Sequence, residues 1–219
     1  MKTLKTTFLA LVAVLALGTA TAQEAESDFS VGADLVSSYV WRGTQFGSGP
    51  AIQPGVSYAT GGLEIGAWGS NSFSMNEGFE ADLYAGYSFD FGLGIAITDY
   101  YFGGDWTDGD VHYFEPALSY GIGDFSILAA YMIGGGKDEN DDFNTQDTYL
   151  EVGYAFGDVS VFVGAGDGQY TVDGDFALAN VGMSYSKDLM LGSFALPMTG
   201  SVILNPSTGN FYTVVGVSF

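Results

Sequence analysis

Eight residues carry most of the chemistry this sequence could perform. Asp34, Glu64, Glu80, Asp82, Glu115 and Glu151 each fall in a run of alternating residues, on the more polar parity, and Arg42 and Tyr84 share that parity in their own runs. A period of two puts such residues on one face of a strand. If that face lines a channel, six carboxylates against a single guanidinium favour cations and repel anions. Dry burial of so many carboxylates is costly, so water or Arg42 must reach them. Two readings stay open. One is a narrow, cation-preferring pore for small solutes or ions. The other is a non-conducting barrel with a structural or surface-interaction role, its carboxylates hydrogen-bonded to Tyr84, Tyr113, Tyr149 and similar neighbours.

Other chemistry is thin. His112 is the sole histidine, with no nucleophile pinned beside it, so an enzyme is not expected. The acidic run Asp138–Asp142 looks like a calcium loop, but Phe143 stands where that loop needs Gly and Tyr149 where it needs a bidentate Glu. Gly134-Gly135-Gly136-Lys137 lacks the spacing and the Ser/Thr of a phosphate loop. The chain has no Cys, which removes thiol catalysis, thiolate metal sites and disulfides. No metal and no cofactor are expected. Nucleic acid is excluded as a partner by charge, since the net formal charge is −21.

The elements that must hold the eight residues are strands. Phe79, Ala81, Leu83, Ala85, Tyr87 and Phe89 alternate with Glu80, Asp82, Tyr84, Gly86, Ser88 and Asp90. That strand is nearly twice the usual ~5–6 residues. The same pattern recurs along the chain, giving about twelve strands. The first runs from Phe29 to Arg42, with Tyr39 and Trp41 placed in an outer aromatic girdle. The tenth has Ala177, Ala179, Val181, Met183 and Tyr185 facing outward, followed by a turn at Ser186–Gly192. Pro116 and Pro197 fall inside the sixth and eleventh, where a missing N–H weakens the assignment. The longest loop is Gly134–Gln146.

Connections alternate between tight turns and long polar loops, which a membrane barrel requires and a soluble sandwich does not. The fold expected is all-β: a transmembrane antiparallel up-and-down β-barrel with both termini periplasmic. Its closed sheet leaves no backbone group unpaired in hydrocarbon.

Both ends of the chain agree. Lys2 and Lys5 precede an apolar run, Phe8–Leu17, and Ala20-Thr21-Ala22 supplies small residues for cleavage. At roughly ten residues that run suits a signal peptide and is too short to span a bilayer. Residues 1–22 are therefore expected to be removed, leaving 23–219 as the barrel. Three cations then face 26 acidic residues, a formal charge of −23. The last stretch, Phe211–Phe219, alternates and ends on Phe219, like the closing strand of an outer-membrane barrel. That likeness implies recognition of Phe219 by the barrel-insertion machinery. The expected location is the bacterial outer membrane, with its lipid and lipopolysaccharide as surroundings.

A family resemblance covers the first third of the expected mature chain. Val36–Gly43 reads VSSYVWRG; Pro50-Ala51-Ile52-Gln53, Gly66-Ala67-Trp68-Gly69-Ser70-Asn71 and Asp82–Tyr87 follow. These stretches resemble the TorF-type family of outer-membrane porins, whose members carry TSDYxFRG, P-A-x-Q, G-x-W-G-S-N and D-x-Y-A-G-Y blocks in that order. The resemblance implies a barrel and passive transport, and gives no substrate. One departure matters: the acidic position before the Tyr is Ser38 here, so that residue offers Arg42 no partner.

Overall fold

A computed structural model describes residues 28–74, 77–137 and 143–219. The expected signal segment and the acidic run Asp138–Asp142 lie outside the described residues. Twelve antiparallel strands close into a barrel. They are β1 (Asp28–Val36), β4 (Ala51–Thr60), β5 (Leu63–Ser72), β6 (Phe79–Ser88), β7 (Leu93–Tyr101), β8 (His112–Ile122), β9 (Phe125–Lys137), β10 (Phe143–Phe156), β11 (Val159–Gly166), β12 (Ala177–Leu191), β13 (Phe194–Asn205) and β14 (Asn210–Ser218). The remaining two, β2 (Tyr39–Trp41) and β3 (Thr44–Phe46), form a separate hairpin. Neighbours in sequence are neighbours in the wall, and β1 closes the ring against β14, with Leu35 opposite Val217.

The alternation follows from what each face touches. Val31, Ile65, Leu83, Ile97, Leu118 and Val152 all point outward and are exposed, while Glu80, Asp82, Glu115 and Glu151 point inward and are buried. The outer wall is thus a continuous apolar belt, far more than a water-soluble monomer ordinarily presents.

Proline is accommodated by opening the ladder on one side. β8 pairs with β9 at Phe114 and again at Ala117, leaving a gap at Pro116, and β4 pairs with β5 at Ile52 and again at Gly55, leaving a gap at Pro54. Pro197 lies within β13, opposite Asp188.

Several expectations are corrected. The first strand ends at Val36, so Tyr39 and Trp41 are not in an outer girdle: they are buried inside the barrel. The β12 strand carries a bulge, where Gly164 pairs with Asn180 and the next residue, Ala165, pairs with Leu178. The extra residue, Ala179, turns inward and is fully buried, and Leu178 takes the outward place. The segment Ser186–Leu191 is strand, not turn; it pairs with β13 down to Leu191 opposite Phe194. The β12–β13 hairpin therefore runs past the point where Tyr185 last pairs with β11. The Gly134–Gln146 stretch is mostly ladder too, with Gly134–Lys137 in β9 and Phe143–Gln146 in β10. These changes leave tight turns at one end of the barrel throughout, at 61–62, 89–92, 123–124, 157–158 and 192–193, and longer connections at the other, apart from the four-residue turn at 206–209.

Candidate functional site: a hairpin clamped in the lumen

The connection after β1 does not stay outside. It folds into the barrel as the β2–β3 hairpin, with Tyr39 opposite Phe46 and Trp41 opposite Thr44. Arg42 and Gly43 make its two-residue turn, both with positive φ, +49° and +81°. That geometry matches the twist of a tight hairpin and favours Gly at the second place. For Arg42 it is strained, since a side chain with a Cβ seldom takes a left-handed conformation.

The strain places a guanidinium in the barrel interior. Arg42 Nη1 donates to Glu115 Oε2 at 2.5 Å and Nη2 to Oε1 at 2.9 Å, a bidentate fork between two buried side chains. Nη1 also donates to the Tyr170 hydroxyl at 2.8 Å. The guanidinium carbon lies 4.4 Å from the Trp41 ring centre, 4.3 Å from Tyr149 and 5.7 Å from Tyr170. Tyr100 donates its hydroxyl to Glu115 Oε1 at 3.2 Å. Burial pushes the Tyr170 hydroxyl above its ordinary range, so it stays a neutral partner. Arg42 Nε is buried without a protein partner.

Tyr170 reaches the lumen from a second connection, the 3-10 turn Gly168–Tyr170 after β11. Asn205, at the end of β13, ties both intruding segments to the wall. Its Nδ2 donates to the Gly43 carbonyl at 3.2 Å and the Tyr170 carbonyl at 3.3 Å, and its Oδ1 accepts from the backbone N–H groups of Ser207 and Thr208. Asn205 is 1% exposed, so nothing in water competes for these bonds.

The predicted lumen residues divide into groups. Arg42 and Glu115 meet directly. Glu151 is one shell away, accepting from Tyr149 at 2.5 Å and from Asn180 Nδ2 at 3.0 Å. Glu80 and Asp82 form a second acidic pair on β6, across from Ser70 and Trp68. Asp82 Oδ1 and Trp68 Nε1 are buried without a protein partner. Glu64 accepts from Tyr84 at 3.2 Å close to the tight-turn end, apart from the rest. Asp34 sits at the barrel seam opposite Ser218. Tyr113 packs on Phe102 rather than on a carboxylate. A small gap beside the hairpin is bordered by Ser38, Tyr39, Gln53, Ser201, Ile203 and Val214.

Sequence reasoning missed the inward roles of Trp41, Tyr170 and Asn205. One signal was present for the hairpin: a residue followed by Gly, between short apolar runs, is a tight-turn signature. His112 is on the outward parity, but Asp99 holds its Nδ1 at 2.9 Å and the Trp106 carbonyl its Nε2 at 3.0 Å.

A family model matches residues 20–195, that of "Bacterial protein of unknown function (Gcw_chp)". The chain belongs to this family. No curated protein sequence matches it. Five solved chains are similar. One is the crystal structure of Pseudomonas aeruginosa OccK5 (OpdH), at 12% identity and a TM-score of 0.35, over 88% of this chain and 66% of that one. The chain thus spans just under two thirds of that protein's length.

Proposed function

We propose that this member of the Gcw_chp family is an outer-membrane channel for small solutes and ions, cation-preferring and held closed by the β2–β3 hairpin. The observation that carries the proposal is Arg42 seated on Glu115: the lumen is filled by a loop held through a buried ion pair, not by wall side chains alone. A twelve-stranded ring is wider than the eight-stranded barrels that side chains fill unaided. The exposed apolar belt is matched to hydrocarbon. The tight turns then face the periplasm and the long connections the outside. With Arg42 withdrawn, Glu80, Asp82, Glu115 and Glu151 leave the passage negative, which favours cations. The TorF-type resemblance supports passive transport. Lipid and lipopolysaccharide surround the barrel. An enzymatic role is not proposed, because both nitrogens of His112 are engaged in bracing the wall.

A second reading, a non-conducting structural or surface-interaction barrel, is favoured by the hydrogen bonds that Glu64, Glu115 and Glu151 already receive. Planar-bilayer conductance separates the two. Wild-type protein, Arg42→Ala and a variant lacking residues 38–46 are compared after heat-modifiable gel mobility shows each to be folded. The channel reading expects small or rare events in the wild type and larger, cation-selective currents in both variants. A folded hairpin-deleted barrel that passes no current sinks the channel reading and leaves the structural one.

A further inference from the structure

We infer that the cage around Arg42 is a binding site for small guanidinium cations, which compete with Arg42 for Glu115 and release the hairpin. The inference rests on the channel reading and names its solute class and trigger.

Apart from Trp41, every group that holds the Arg42 head stands outside the hairpin. Glu115 is on β8, Tyr149 on β10 and Tyr170 on the connection after β11. When the hairpin withdraws, a forked carboxylate remains, faced by tyrosine rings, with the Tyr170 hydroxyl as a further acceptor and Glu151 close behind Tyr149. This set is matched to a flat, weakly hydrated cation. The carboxylate takes two parallel N–H bonds and the rings take the π face. A potassium or sodium ion has no such shape, and an anion is repelled by the two carboxylates.

Arg42 is itself an imperfect occupant. Its Nε is buried with no partner, and its backbone is held in a left-handed conformation. A free methylguanidinium ion carries no backbone strain. Arg42 keeps the advantage of its tether, so the free cation must be in excess to displace it.

Two measurements test this apart from conductance alone. In the first, folded Arg42→Ala barrel in detergent is titrated calorimetrically with methylguanidinium chloride, with potassium chloride as the control. Saturable binding is expected for methylguanidinium only, weakened at least about tenfold when Glu115→Gln is added. Tyr149→Leu, which leaves the carboxylate intact, weakens it less, by roughly three- to fivefold. In the second, methylguanidinium raises the open probability of the wild-type protein in a saturable way, and equal potassium chloride does not. No saturable binding, or binding unmoved by Glu115→Gln, overturns the inference whether or not Arg42→Ala conducts, and so does a wild-type open probability that ignores methylguanidinium while Arg42→Ala conducts. Binding with no current in any variant supports the site and overturns the channel reading.

Discussion

The backbone of Gly43 lies directly against the carbonyl of Ala179. A Cβ built on Gly43 would fall 2.0 Å from that oxygen and 3.3 Å from the Asn205 side chain. Two irregularities meet here: the turn of the inner hairpin, and the bulge that turns Ala179 inward. A close approach of two main chains is a place where only Gly fits. Gly43→Ala should therefore unseat the hairpin while leaving the wall closed. The comparison is Gly61→Ala, also at positive φ but with no atom within 4 Å of the added carbon. That control should cost about 1 kcal/mol of backbone strain and leave the lumen unchanged. Protease sensitivity of the hairpin and conductance check the pair. Equal behaviour of the two variants would show that strain, not contact, sets the outcome.

The Arg42–Glu115 pair should show strong coupling in a double-mutant cycle. Removing one partner of a buried ion pair leaves an uncompensated charge, costing roughly 3–5 kcal/mol. Arg42→Ala strands Glu115 inside the barrel, and Glu115→Ala strands Arg42 among rings. The double variant strands neither, so its loss should fall well short of the sum of the singles. Denaturant unfolding from vesicles measures all four. Additive losses would mean that the fork contributes little to holding the hairpin.

Asn205 offers a gentler release. Asn205→Ala removes two donors from the carbonyls of Gly43 and Tyr170, and one acceptor from Ser207 and Thr208. Buried groups left without partners cost about 1–3 kcal/mol each. Both intruding segments should loosen together, which hydrogen exchange at Gly43 and Tyr170 would report. Faster exchange at one segment alone would separate them into independent plugs.

The wall was legible in the sequence because one rule governs it. Most outward residues of the wall strands are apolar and most inward ones are small or polar, so Val31, Leu83, Ile97 and Val152 announce their face by parity alone. The hairpin was not legible by that rule. Tyr39 and Trp41 continue the parity of Phe29 to Leu35, and alternation cannot say that the chain has left the wall and turned inward. The clue lay in chemistry: Arg42 is the lone cation among inward acids, and a lone buried cation finds a carboxylate. Ser38 removed the nearby partner, and only the closed ring reveals that Glu115, far along the chain, replaces it. The Ala179 bulge was hidden for another reason. Ala177, Leu178 and Ala179 are all apolar, so a shift by one residue changes no pattern that the sequence displays. At Ser186–Asp188 the error ran the other way: polar residues read as a turn belong to a hairpin that outruns its neighbour.

The apolar belt gives the test on which the membrane assignment depends. Ile97 is central in β7, faces outward at 48% exposure, and pairs with Ala85 and Pro116 on the strands beside it. Its side chain makes no contribution to the lumen. If oil covers this face, Ile97→Arg must bring a guanidinium to the hydrocarbon near its middle. In barrels that costs about 2–4 kcal/mol, falling toward nothing near the interfaces. Phe156→Arg, beside the tight turn at 157–158 and equally outward, should then cost far less. Refolding into phosphatidylcholine vesicles followed by denaturant titration measures the difference. In water the two positions are both exposed, and a surface arginine would be tolerated at either. Equal, small losses at Ile97 and Phe156 would therefore remove the lipid from the argument, and with it the membrane channel.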